Sequence, residues 1–438
     1  MFSTRRSTEH IAFRRVLPRA AVALLLLGVA ASCSEDRADA GPNLPDAGPP
    51  EPDAGPPGYD ASVDARTDAP DDVARPEVTC AVTPCARALS ASWSESFCAL
   101  LDDGRVACWG RNANGELGRD AGSWSATAAP VEGVTKAVAL DRTCAVDADG
   151  KVVCWGPTQA PVWDEASRPA VRSVRSGNSF GCAVLTDGQV ACWGKNGEDG
   201  VLAYAGAGIG ADVPPTIVPI DGPVDEIAIA RGTALGPPPF PWLPPAPVTV
   251  HAVIARRANG EVLSWGRTPL IGRATELKPD PIPGRIAVDH ATHVSGGHGG
   301  CVLAGTELGC WGYGRDPADG AILPLPITGV PRAVDVALGD YGDGHFGRGC
   351  AVTPGGKVYC WGENDYGQAG DGTQVFRDLA VEVKDLPEPI VRVQATARTS
   401  CALAVSGRIY CWGDDAFGQR GQKKPFTKNP SPLPVELP

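Results

Sequence analysis

Short runs of alternating apolar and polar residues, each interrupted by an Asp-Gly or similar turn, recur along the chain. The clearest is Cys98-Ala-Leu-Leu-Asp-Asp-Gly-Arg-Val-Ala-Cys108-Trp109-Gly110. Alternation at period two on both sides of a turn predicts a β-hairpin. Asp102-Asp103-Gly104 reads as a three-residue turn with glycine at the left-handed position. Further copies run from Cys144 to Cys154-Trp155-Gly156, Cys182 to Cys192-Trp193-Gly194, Cys301 to Cys310-Trp311-Gly312, Cys350 to Cys360-Trp361-Gly362 and Cys401 to Cys411-Trp412-Gly413. A degenerate copy, Ile254-Ala-Arg-Arg-Ala-Asn-Gly260-Glu-Val-Leu-Ser264-Trp265-Gly266, makes seven.

Counting outward from the first turn places Cys98 opposite Cys108, within disulfide reach on one sheet face. The pair Cys301 and Cys310 is one residue closer, and its turn is the two-residue Gly305-Thr306, so turn and spacing shorten together. In the degenerate copy both cysteine positions change at once, to Ile254 and Ser264, as one bond requires. Structural zinc is the alternative, but it takes four ligands and usually close Cys-x-x-Cys pairs. The expected bonds are 98–108, 144–154, 182–192, 301–310, 350–360 and 401–411, with Cys80 and Cys85 closing a small loop. Each tryptophan follows its cysteine by one residue and therefore faces the other side of its sheet. Trp109, Trp155, Trp193, Trp265, Trp311, Trp361 and Trp412 are expected to fill the contact between neighbouring sheets, with the next glycine allowing close backbone approach.

An apolar-alternating segment usually precedes each hairpin, such as Ala137-Val-Ala-Leu or Glu226-Ile-Ala-Ile-Ala. An edge-like piece with Pro and Val often precedes that, as in Pro130-Val131 and Ala380-Val-Glu-Val. Four short strands per unit, seven times over, describe an all-β propeller. The core Cys-Ala-Leu…Asp-Gly-x-Val-x-Cys-Trp-Gly, with Trp361-Gly-Glu-Asn-Asp-Tyr-Gly-Gln-Ala-Gly370 and Trp412-Gly-Asp-Asp-Ala-Phe-Gly-Gln-Arg-Gly421, resembles regulator of chromosome condensation repeats. The resemblance covers roughly residues 80–438 and implies that family's seven-bladed propeller. The tail Pro432-Leu-Pro-Val435-Glu-Leu resembles the strand opening the other units, which the first unit lacks. The C-terminus is therefore expected to supply that strand and close the ring.

Composition changes the picture at the N-terminus. The net charge is −12, but residues 1–33 carry +4 and residues 34–78 carry −9. Arg14, Arg15 and Arg19 precede twelve apolar residues, Ala20 to Ala31, too few to span a bilayer but suited to a signal-peptide core. Small residues before Ser32-Cys33 resemble the lipobox of bacterial lipoproteins, although Ala30 stands where that family prefers Leu. The resemblance implies a lipid on Cys33. Cleavage after Ser32 by ordinary signal peptidase is the alternative. Six hairpin pairs and Cys80/Cys85 use fourteen of 15 cysteines, and the leftover Cys33 favours lipidation. Residues 33–78, with Asp46-Ala-Gly-Pro-Pro repeated at Asp53, read as an acidic, extended, disordered stalk. The chain thus divides into a lipoprotein signal peptide over 1–32, a stalk over 33–78 and a propeller over 79–438. By analogy with enteric bacteria, Ser34 after the lipidated cysteine favours the outer membrane.

Little in the sequence points to catalysis. There is no nucleophile elbow, Walker loop or dinucleotide fingerprint. Asp289-His290, His293 and His298 come nearest to a ligand cluster, but strand alternation divides their side chains. No metal, cofactor or enzymatic activity is expected, and the acidic balance argues against nucleic acid. The family's namesakes exchange guanine nucleotide and bind chromatin, roles unsuited to an exported, acidic chain without a basic tail. The expected function is a surface-anchored, non-catalytic scaffold that binds a protein or glycan and meets the membrane through its lipid. A secreted enzyme inhibitor and a propeller lyase or hydrolase are the alternatives; the last would lose turnover on mutation of His290 or His293. Phe240, Trp242 and Leu243, in the insertion Gly236-Pro-Pro-Pro-Phe-Pro-Trp-Leu-Pro-Pro-Ala-Pro247, are binding-loop candidates. The same insertion could instead fold back to cap its own blade.

Overall fold

The computed structural model describes residues 75–438, apart from 165–167, 203, 205, 207, 236–246, 313–321, 340–346 and 423–427. The signal segment, Cys33 and nearly all of the stalk lie outside the described residues. So do Phe240, Trp242 and Leu243.

Seven antiparallel sheets follow one another along the chain, giving an all-β, seven-bladed propeller. Blade 1 shows the common plan: an inner strand (Ala86–Ala91), a hairpin (Ser96–Leu101 and Val106–Arg111) and an outer strand (Trp124–Pro130), hydrogen-bonded in that order. The inner strands of the other blades are Ala137–Asp141, Val171–Ser176, Val224–Leu235, Ala291–Gly297, Asp335–Leu338 and Ile390–Ala395. Blade 2 has three paired strands among the described residues. In blade 4 the inner strand continues to Leu235 and pairs with Pro247–Arg257, carrying the ladder four residue pairs beyond Arg231 opposite His251.

The edge-like Pro/Val segments do not open the following unit. Each returns down its own blade and pairs with the hairpin just before it: Trp124–Pro130 lies beside Val106–Arg111, and Arg377–Glu382 beside Val358–Gly362. The tail strand Asn429–Pro434 likewise pairs with Ile409–Gly413 and completes blade 7. The expected strand exchange at the ring seam is therefore corrected: every blade is contiguous in sequence. The reason is local, because a chain leaving the top of a hairpin finds the unpaired edge of that hairpin before it reaches another sheet.

Two repeated contacts join the blades instead. First, the turn glycine of one hairpin accepts a hydrogen bond from the first residue of the next inner strand: Ala137 N–H to Gly104 O (2.9 Å), Val224 to Gly188 (2.9 Å), Ala291 to Gly260 (3.0 Å) and Ile390 to Gly356 (2.9 Å). Ala86 N–H makes the same bond to Gly407 O at 3.0 Å, across the seam. Gly104 has φ +80°, and an added Cβ would lie 3.0 Å from Thr135 O. Second, the repeat tryptophans donate their indole N–H to a carbonyl in the preceding blade. Trp155 reaches Glu116 O (2.9 Å), Trp193 Gln159 O (2.9 Å), Trp265 Val201 O (3.1 Å), Trp311 Leu270 O (2.7 Å) and Trp412 Gln368 O (3.0 Å). Trp109 crosses the seam to Gln419 O at 2.9 Å. Trp361 is buried, and the matching loop of the preceding blade falls within residues 313–321, outside the described residues. After Trp109, Gly110 (φ +103°) brings its Cα so close that a Cβ would sit 2.5 Å from Glu95 O.

Candidate binding face

Cys98 faces Cys108 in register, and the hairpin register likewise opposes 144 to 154, 182 to 192, 301 to 310, 350 to 360 and 401 to 411. All six pairs are bonded, with Cα atoms 4.0–4.1 Å apart, and Cys80–Cys85 is a seventh disulfide. In the degenerate hairpin Ile254 opposes Ser264, whose hydroxyl donates to Ile271 O at 2.5 Å. Bonds of this kind persist in an oxidising compartment.

Alternating strand direction sends the loops between first and second strands, and those between third and outer strands, to one end of the ring. This loop face surrounds the mouth of the central channel. Inside the channel a cavity of about 120 Å³ is lined by the inner strands. His293 stands between two blades, its Nδ1 2.8 Å from Glu226 Oε1 and its Nε2 3.6 Å from Asp335 Oδ1. Arg175 and Arg142 approach Asp141 at 3.8 and 3.2 Å, and Arg392 approaches Asp335 at 3.8 Å. Burial alone would raise the Glu226 carboxyl. The charge and hydrogen bond of His293, the Arg175 charge and the Val294 N–H outweigh it and hold the group at about 2.

The three histidines of the candidate cluster are not brought together. His290 is exposed with φ +55°, His293 lies in the channel, and His298 is buried beside Gly339, to whose carbonyl its backbone N–H donates. Among the described residues no group of three or more His, Cys, Asp or Glu is arranged to hold a metal ion. A further histidine, His251, is buried with Nδ1 2.7 Å from Asp199 Oδ2, tying the base of the blade 4 hairpin to the long loop of blade 3.

Trp93, in the first loop of blade 1, was not singled out by the repeat pattern. It lines both a small cavity at the top of the channel and an adjoining cleft of about 260 Å³. The Arg142 guanidinium lies 3.8 Å from its ring centre and that of Arg231 5.5 Å. The cleft is also lined by Asn114, Glu116 and Asn178. The one available signal in the sequence is that Trp93 stands outside the Cys-Trp-Gly register. Glu95 beside it is buried and accepts from Thr396 Oγ1 (2.6 Å) and Arg398 N–H (3.0 Å), fastening blade 1 to blade 7. Its carboxyl is raised by burial, against the pull of these two bonds and of Arg348. Burial lowers Arg348 to about 10, opposed by the charges of Glu95 and Glu363.

Comparison with known proteins identifies the repeat. Regulator of chromosome condensation repeat models match residues 87–116, 171–199, 333–368 and 390–419, and a second such model matches 355–403. The chain carries repeats of this family over those stretches. Among curated relatives of the repeat propeller, human E3 ubiquitin-protein ligase HERC2 is 31% identical over 189 residues, which are 37% of this chain and 4% of that protein. Ras guanine nucleotide exchange factor C of Dictyostelium discoideum is 30% identical over 112 residues, 25% of this chain and 7% of that one. The chain thus spans less than a tenth of the length of these relatives. Prp20p of Saccharomyces cerevisiae, a protein with binding properties to Gsp1p and histones, superposes with a TM-score of 0.50 at 16% identity, covering 80% of this chain and 77% of that one. At that identity the likeness shows the fold.

Proposed function

We propose that this repeat propeller is a non-catalytic binding scaffold held at the cell surface, with a protein or glycan as its partner. The observation that carries the reading is the loop face. Seven disulfide-supported or tightly packed blades hold its loops on a rigid ring, and blade 4 lengthens one hairpin on that side. The titratable groups of the channel face one another in ion pairs between blades, an arrangement that stiffens the ring. The Pro-rich segment with Phe240, Trp242 and Leu243 continues the blade 4 hairpin in sequence and supplies the aromatic anchors expected of an interface. Anchorage through a lipid on Cys33, after removal of 1–32, with 33–78 as a spacer, completes the reading. The disulfides agree with export, and no helix among the described residues is long and apolar enough to cross a membrane.

Proximity labelling with the intact protein on its native cell surface tests the scaffold, with Phe240→Ala/Trp242→Ala as the comparison. Loss of the labelled partner at unchanged melting temperature is the expected result. Lower melting with the partner retained assigns the segment to capping its blade. Cys33→Ala is expected to abolish partitioning into detergent; unmodified mature protein free in the medium of the parent strain refutes the anchor.

A further inference from the structure

Among the described residues blade 2 stops one strand short, at Val152–Cys154. In the six other blades the residue just past the outer strand donates its N–H to a carbonyl near the start of the third strand. Val131 reaches Val106 O in blade 1, Val218 reaches Val190 O in blade 3, and Ile286, Ile327, Val383 and Val435 do the same in blades 4 to 7, all at 2.7–2.9 Å. The donor is always valine or isoleucine. The matching acceptor in blade 2 is Val152 O, and no described residue donates to it. Bonds from Asp147 N–H to Lys151 O and from Trp155 N–H to Thr143 O turn alternate residues of this strand towards its hairpin partner. The N–H and C=O groups of Val152 and Cys154 therefore point outward. Cys154 is only half-buried, whereas Cys108, Cys192, Cys310, Cys360 and Cys411 are fully buried. The connection that follows is about half the usual length. Eleven residues separate Gln159, which accepts from the Trp193 indole, from the inner strand at Val171. Twenty to twenty-two separate Glu116, Val201, Leu270 and Gln368 from theirs. Val162, within the short connection, is 86% exposed.

An unpaired ladder is a template for another strand, and proline or charge on an edge discourages one. The outer strands of blades 1, 3, 4, 5 and 7 all carry proline, from Pro130 in the first to Pro430 and Pro432 in the last. The outer strand of blade 6, Arg377–Glu382, has charged residues at both ends instead. Val152–Cys154 has neither guard. Blade 6 also shows what such an edge takes: Val381 lies opposite Cys360, and Val383 donates to Val358 O. We propose that the outer edge of blade 2 is a strand-addition site for an extended segment of a partner protein, with valine or isoleucine at the position Val131 holds in blade 1. Main-chain bonds to Val152 and Cys154 hold the segment, and the branched side chain gives the selectivity. The site lies on the rim of the ring rather than on the loop face, so its failure leaves the scaffold reading standing.

The probe is a synthetic peptide with the sequence of residues 377–383, blocked at both ends. The control is the same peptide N-methylated at the positions of Val381 and Val383, which removes the two N–H groups that face the edge. With the full propeller, the peptide should slow amide exchange at Val152 and Cys154 at least about tenfold, and the methylated peptide should leave it unchanged. A chain whose residues 160–170 are replaced by the sequence of residues 369–389 carries a fourth strand for blade 2. It should keep all seven disulfides and no longer bind the peptide. The proposal is overturned if exchange at the two amides is unchanged at about 1 mM peptide. It is equally overturned if the methylated peptide protects them as well, or if the completed blade still binds. The pair of peptides decides the matter whether or not the completed chain folds.

Discussion

Glu226 illustrates what a single position contributes to the ring. Its carboxyl lies near 2 in the fold against an ordinary value of 4.5, so the ionised form stabilises the propeller above pH 4.5. That contribution, on the order of 3 kcal/mol, is lost as the pH falls from about 4.5 towards 2. Glu226→Gln should therefore lower the melting temperature at pH 7 while flattening its fall under acid. A variant whose melting curve keeps the wild-type acid dependence would show that Glu226 does not carry it. None of this was legible in the sequence, because a residue turned towards the channel has the same alternation signature as one turned towards solvent. His293 read as one member of a histidine run for the same reason. Alternation could separate it from its neighbours, but nothing in the sequence could show that it meets Glu226 of blade 4 and Asp335 of blade 6. Trp93 was equally hidden, since the guanidiniums that flank its ring, those of Arg142 and Arg231, come from blades 2 and 4.

The hairpin was the most legible element. Turn chemistry and cysteine spacing together set the register, and a register error of one residue would have put both sulfurs on opposite faces. The degenerate hairpin offers a direct check, because Ile254 and Ser264 are opposed as the cysteine pairs are. Ile254→Cys/Ser264→Cys should close an eighth disulfide, found by non-reducing peptide mapping. Its effect on stability should be small. Closing a loop of this length contributes roughly 2.5–3 kcal/mol in the chain-entropy account, less for a hairpin already formed. Truncating the fully buried Ile254 and losing the Ser264 bond to Ile271 oppose it by about 1–3 kcal/mol. Persistent free thiols would mean that the backbone of this hairpin is not opposed as described. The outer strand was less legible. Its Pro/Val signature marks an edge, as in Asp212–Ile217 with Pro214 and Pro215, but an edge has one paired side and the sequence does not say which. Proximity along the chain favoured the following hairpin, whereas the preceding one already offered an unpaired ladder.

At the scale of the whole molecule, contiguous blades make the seam between blades 7 and 1 chemically like the other junctions. The Gly407–Ala86 and Trp109–Gln419 bonds repeat what joins blades elsewhere. The same junction has one addition, the buried Glu95 tie to Thr396 and Arg398. Val78 and Leu437, near the two ends of the propeller, pack against one core cluster. A short linker from Pro438 to Val78 should thus join the ends without strain, and new ends can be opened elsewhere. The connection between blades 1 and 2 suits this, since Gly133 is exposed and an added Cβ there would meet nothing within 4 Å. A propeller permuted to begin at Gly133 and end at Glu132 should fold with all seven disulfides and melt within a few degrees of the parent, because no blade is divided by the cut. A ring closed by strand exchange would behave differently, since linking its ends and cutting between blades would leave the exchanged strand tethered to the wrong sheet. Failure of the permuted chain to form the 98–108 and 401–411 bonds together, by peptide mapping of the soluble product, would mean that the native seam is not interchangeable with the rest of the ring.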